Sequence, residues 1–122
     1  YTPEHLKMRE EIIGTYKSAG YEMPKTEDVT AAFKDGVSAG HIIEALCAGG
    51  ILARISYQYC LDREKYDDAV EIVKSEIASK GEITLAEFRD AIGVSRKFAV
   101  EILEHFDKVK LTKKVGDSRV LY

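Results

Sequence analysis

Seven positions near the end of the chain have the types and spacing to hold a polyanion: Ser95, Arg96 and Lys97 in one run, and Lys113, Lys114, Gly116 and Arg119 in a second. Ser95 has the residue type of a helix N-cap, whose hydroxyl accepts one of the unpaired amide protons of the first turn. Arg96 and Lys97 then fall in that turn, where the exposed amides and the positive end of the helix dipole add to their charge. The second run, Lys108 to Arg119, carries five basic residues and one acidic. Gly116-Asp117 supplies its turn, so it reads as a basic hairpin. The chemistry is charge-assisted hydrogen bonding to phosphate oxygens from two elements that flank one edge.

Catalysis finds no comparable support. No nucleophile is spaced with a base, and the GxxxxGK[ST] phosphate loop is absent. His5, His41 and His105 are scattered over separate helices without Cys or acidic partners at ligand spacing. Cys47 and Cys60 lie in apolar contexts and read as buried free thiols, not as a zinc site or a disulfide framework. The expectation is a binding module, not an enzyme, with no metal and no cofactor.

The helix carrying the first cluster must pack by one side and present the other. At 100° per residue, Phe98, Ala99, Ile102, Leu103, Phe106 and Val109 gather on one face, while Arg96, Lys97, Glu101, Glu104, Asp107 and Lys108 cover the opposite one. The acidic residues repel phosphate from most of the outer face, which leaves its first turn as the inviting part. Upstream, Glu82-Ile83-Thr84 reads as a short strand, and Thr84-Leu-Ala-Glu87 as a capping box opening a helix to Ile92. Asp62 to Lys80 reads as a helix with Tyr66, Ala69, Val70, Val73 and Ile77 inward.

The same order occurs earlier in the chain. A helix is expected over 3–19, with Thr2 as cap and Pro3 at the first position, then a short capped helix from Thr26. A third helix starts at Ser38 and stops at Gly49-Gly50, followed by a hairpin of Leu52 to Ile55 and Tyr57 to Leu61. Gly36-Val37-Ser38 recurs as Gly93-Val94-Ser95, and Ile43, Glu44 and Leu46 as Val100, Glu101 and Leu103. Helix, short strand, helix, tight turn, helix and hairpin is the order of a winged helix. The fold class is therefore mainly α with small β-hairpin wings (α+β), as two tandem winged-helix domains over 1–61 and 62–122. Each has about sixty residues, near the lower limit for a self-sufficient core, so the two are expected to pack on each other or on a neighbour. No flexible linker separates them, and semi-rigid behaviour follows. The first begins its third helix with Ser38-Ala39-Gly40-His41 and has only Arg54 in its wing, so it reads as a spacer or packing domain, and nucleic-acid contact falls to the second.

The chain has 122 residues, 45% apolar and 32% charged, with net charge −3, the balance of a soluble globular protein. The charge is uneven: residues 1–81 hold 14 acidic and 10 basic side chains, residues 82–122 hold 7 and 8. No apolar run approaches a membrane span, and Tyr-Thr-Pro-Glu-His shows no signal-peptide pattern. A cytosolic, monomeric fragment is expected, cut from a longer protein because no initiator Met is present.

Several motifs in order, Glu87-Phe-Arg89-Asp90, Ser95-Arg96-Lys97-Phe98, Leu103-Glu104-His105-Phe106-Asp107 and Thr112-Lys113-Lys114-Val115-Gly116-Asp117-Ser118-Arg119-Val120, resemble the last winged-helix domain of the bacterial selenocysteine-specific elongation factor, SelB. The likeness is close over 82–122 and looser over 1–80. It implies binding of the messenger RNA hairpin (SECIS) that recodes UGA, by an arm of a GTPase that carries selenocysteyl-tRNA to the ribosome. By position, it gives Arg96 and Lys97 backbone contacts with Ser95 as cap and phosphate donor, Lys113, Lys114 and Arg119 contacts from the wing, and Gly116 the turn. Lys stands at 113 and 114 where the family often has Arg, which keeps the charge without the bidentate fork. A site of one helix end and one wing suits a loop, because the A-form major groove is too narrow for a helix. A winged-helix DNA-binding regulator and a protein-interaction scaffold are the other readings of the same architecture.

Overall fold

The computed structural model describes residues 2–122. In the first half, helix α1 (Pro3–Ala19) is followed by α2 (Thr26–Ala31), α3 (Gly36–Ala48) and the antiparallel strands β1 (Leu52–Arg54) and β2 (Cys60–Asp62). Helix α4 (Arg63–Lys80) leads to β3 (Ile83–Thr84), α5 (Leu85–Ile92), α6 (Arg96–Lys108) and the hairpin β4 (Thr112–Val115) and β5 (Ser118–Leu121). This is the expected order of two winged helices, helical with small antiparallel wings. Two compact units result, the first ending at Lys65 and the second beginning at Tyr66. The division falls inside α4, four residues beyond the expected boundary, because the first turn of α4 is held to the first unit. Tyr21 donates its hydroxyl to the Lys65 carbonyl at 3.0 Å, and the Lys65 ammonium lies 5.5 Å from the Tyr21 ring centre.

The first unit closes on Ile12, Tyr16, Val29, Ala39, Ile42, Ile43, Leu46, Leu52 and Cys60. Helix α1 runs over the expected residues, with the Thr2 hydroxyl accepting from the His5 amide and Pro3 at its first position. Two caps differ from expectation. Helix α3 begins at Gly36, not Ser38, because the Asp35 carboxylate caps it and Ser38 serves as the amide donor. Helix α2 has Lys25 in the cap position and no side-chain cap, because a lysine side chain has no acceptor, while the Thr26 amide is donated to the Gln58 carbonyl beside the wing.

In the second unit the core is Ala69, Val73, Ile77, Ile83, Phe88, Ala99, Ile102, Leu103 and Phe106, all buried. Phe106 sits edge-on to Tyr66 and Phe88, with ring centres at 5.7 and 6.3 Å, so the aromatic spacing of α6 serves packing. Strand β3 adds to the wing as an edge of a three-stranded sheet, in the order β3, β5, β4.

The expected capping box of α5 is complete, with Thr84 accepting from the Glu87 amide and Glu87 accepting from the Thr84 amide. Glu87 also accepts from the Lys80 ammonium at 2.9 Å. That bond, then those from Thr84, hold its carboxyl well below the ordinary range, at about 2. A depressed carboxyl stabilises the fold above its unfolded value near 4.3, and the contribution disappears as pH falls toward about 2. Thermal unfolding of the chain and of Glu87→Gln should therefore differ at neutral pH and converge over that acid range. A gap that stays constant would assign the effect to something other than this carboxylate.

Candidate nucleic-acid interface

Helix α6 reaches the surface through a tight turn. Gly93 ends α5 in the left-handed conformation (φ 65°, ψ 41°) and returns its amide to the Arg89 carbonyl, a backbone state in which a Cβ is strained. Ser95 takes the N-cap place of α6 in extended conformation, but its hydroxyl makes no cap hydrogen bond; its carbonyl accepts from the Ala99 amide instead. The expected side-chain cap is therefore not formed, and Ser95 stands exposed beside Arg96 and Lys97.

The wing turns at Gly116, with φ 60°. Positive φ at the first of two loop residues suits a right-twisted hairpin and is the reason for glycine there. Strand register then sorts the cations. Lys114 pairs with Arg119, whereas Lys113 pairs with Val120. Successive strand residues face opposite sides, so Lys114 and Arg119 share one face of the wing and Lys113 takes the other.

A cleft of about 340 Å³ opens where the start of α6 meets this face, lined by Thr84, Arg89, Arg96, Lys114, Asp117 and Arg119, with Leu85 and Ala86 at its side. The structure thereby brings Arg96 together with Lys114 and Arg119. Lys97 and Lys113 lie off the cleft, Lys97 with its ammonium 5.5 Å from the Phe98 ring centre. Among the described residues, Arg96 and Lys114 have no ion-pair or hydrogen-bond partner and are exposed. Both charges are available.

Arg119 plays a different part from the one expected. Its side chain is only 9% exposed. It donates from Nη2 to Asp107 Oδ2 at 3.0 Å and from Nε to both carboxylate oxygens at 3.2 and 3.3 Å. Thr112 adds its hydroxyl to Asp107 Oδ1 at 2.7 Å. Asp107, placed on the outer acidic face by helical spacing, is therefore the anchor that ties both wing strands to the end of α6. Arg119 shapes the cleft from below as a neutralised pair, and its register partner Lys114 carries the free charge.

By sequence, Arg89 and Asp90 read as a helix-surface pair or a structural bridge to the wing. The pair exists, at 3.4 Å, yet Arg89 also lines the cleft. Its position one helical turn before Gly93 was the available signal. In the first unit the corresponding hollow between α3 and the wing, about 510 Å³, has Glu27, Glu44, Arg54, Tyr57 and Gln58 on its walls. Arg54, its one basic lining residue, is paired with Glu44, so the hollow offers a phosphate no free cation.

A family model for the winged helix of elongation factor SelB matches residues 75–121. Over that span the chain is similar to a SelB winged helix. The resemblance read from the motifs is thus borne out where it was closest. The chain is also 34% identical over 110 residues, 86% of its length, to the selenocysteine-specific elongation factor of Desulfomicrobium baculatum, and 44% identical over 41 residues to that of Escherichia coli K12. It spans 17% and 7% of those relatives' lengths. The mRNA-binding domain of Escherichia coli SelB, solved in complex with SECIS RNA, shares the fold across 99% of this chain and 98% of that one, with TM-score 0.81 and 21% identity. A bacterial selenocysteine-specific elongation factor, EF-Sec, superposes over the whole chain and 20% of its own, with TM-score 0.76 and 13% identity.

Proposed function

We propose that the chain is the mRNA-hairpin-binding arm of a selenocysteine-specific elongation factor. Its SelB unit grips a SECIS-type RNA hairpin and so holds a selenocysteyl-tRNA-carrying GTPase at a recoded UGA codon on the ribosome. The observation that carries this reading is the meeting of two uncommitted cations, Arg96 from the start of α6 and Lys114 from the wing, at one cleft. A curved site of this kind suits the loop of a hairpin and the phosphates beside it. Lys97 and Lys113, off the cleft, add only to the surrounding positive field, Ser95 stands beside Arg96, and Gly116 sets the turn. The first unit, with Arg54 paired, acts as spacer or packing body.

Titration with an RNA hairpin, the same sequence as linear RNA, and duplex DNA tests the reading, with tightest binding expected for the hairpin. Arg96→Ala should weaken hairpin binding by about 1–3 kcal/mol, and Lys114→Ala should lower the salt slope by about one unit. Equal affinity for the three nucleic acids, or an Arg96→Ala variant that binds like the parent, would overturn the assignment.

A further inference from the structure

Two thiols that RNA binding leaves unused meet inside the first unit. Cys47 on α3 and Cys60 on β2, 13 positions apart, place their Sγ atoms 3.5 Å from each other. Both are free; Cys47 is half-buried and Cys60 fully buried. The contact joins the last turn of α3 to the strand that closes the wing. Its two sulfurs are chemically unequal. The hydrogen bond from Cys60, aided by the nearby Arg54 guanidinium, holds the Cys47 thiol below its ordinary range. The same hydrogen bond and burial push Cys60 up. One sulfur is accessible with thiolate character, and the other is sequestered against it, which is the arrangement of an attacking and a resolving thiol.

We propose that Cys47 and Cys60 form a reversible two-electron redox site, closed to a disulfide by a hydroperoxide, that pins α3 to the wing of the first unit. The Cys47 thiolate attacks one peroxide oxygen. The O–O bond breaks and the departing hydroxide takes the proton released by Cys47, leaving water and a sulfenic acid. The Cys60 sulfur then attacks the Cys47 sulfur. The S–O bond breaks, and the second hydroxide leaves as water with the Cys60 proton. In total two thiols lose two electrons and hydrogen peroxide is reduced to two waters. Contact between the sulfurs gives the second step a high effective concentration, so closure outruns further oxidation of Cys47. A dithiol reductant reopens the bond by exchange.

The experiment treats the full chain with stoichiometric hydrogen peroxide and follows intact mass. The expected product is a monomer lighter by about 2 Da whose two cysteines resist alkylation until dithiothreitol is added. Its melting midpoint should rise by about 5–10 °C from the loop closure. Cys60→Ser should instead trap a dimedone-reactive sulfenic acid, heavier by about 16 Da, and Cys47→Ser should stay unmodified. A parent chain that remains a dithiol, gains only oxygen, or cross-links between molecules would overturn the proposal. A Cys47→Ser variant that is oxidised as fast as the parent would overturn the assignment of the attacking sulfur.

Discussion

Asp107→Ala should destabilise the second unit by about 1–3 kcal/mol, read by urea unfolding, because it removes the shared acceptor of a partly buried ion pair and hydroxyl. Arg119 is buried, and its guanidinium and the Thr112 hydroxyl both depend on the Asp107 carboxylate. Removing that acceptor strands a charge and a hydroxyl in a low-dielectric site. For a unit of this size the loss is a large fraction of the total stability. The wing that carries Lys114 also loses its tie to α6, so hairpin affinity should fall with stability. Replacing both partners, Asp107→Leu with Arg119→Met, should recover much of the unfolding free energy, since apolar groups of similar volume need no partner. An Asp107→Ala chain within about 0.5 kcal/mol of the parent, the range of ordinary surface changes, would show that the pair does not anchor the wing.

The second large effect is functional. Reversing both free cations of the cleft, Arg96→Glu with Lys114→Glu, should weaken RNA hairpin binding by about 2–6 kcal/mol, twice the range of one contact. Both side chains are exposed and lack partners, so the unfolding free energy should change by no more than about 0.5 kcal/mol. Affinity that falls without loss of stability separates this site from the Asp107 anchor, whose removal affects both. The salt dependence should shallow by about two units as well. Binding that survives the double reversal would place the RNA elsewhere on the molecule.

These two predictions rest on features that were unequally legible in the chain. The arginine at the start of α6 was readable because cap position, helical turn and dipole are all decided within a few residues. So was the Thr84–Glu87 capping box, whose partners are three positions apart. The roles of Lys113 and Lys114 were not separable from composition. They differ only through register, where a shift of one residue exchanges the two faces. The pairing of Lys114 with Arg119 across the Gly116 turn decides it. Asp107 looked like one more solvated carboxylate by helical spacing, because its partner lies twelve positions away and meets it only when the wing folds back.

The amino-acid order by itself determined the repeated helix and hairpin plan, the apolar helix faces, the Thr2 cap and the Thr84–Glu87 capping box, and the concentration of positive charge in the second unit. Those features arise from contacts within one or two turns and from period, which the chain carries locally. Tertiary structure alone decided which cations are free, since Arg119 and Arg54 are neutralised by Asp107 and Glu44 from other elements. It also decided that Arg96 and Lys114 share a cleft and that the Cys47 and Cys60 sulfurs touch. Each of these depends on distances across a closed wing, and sequence separation does not encode them until the strands are in register.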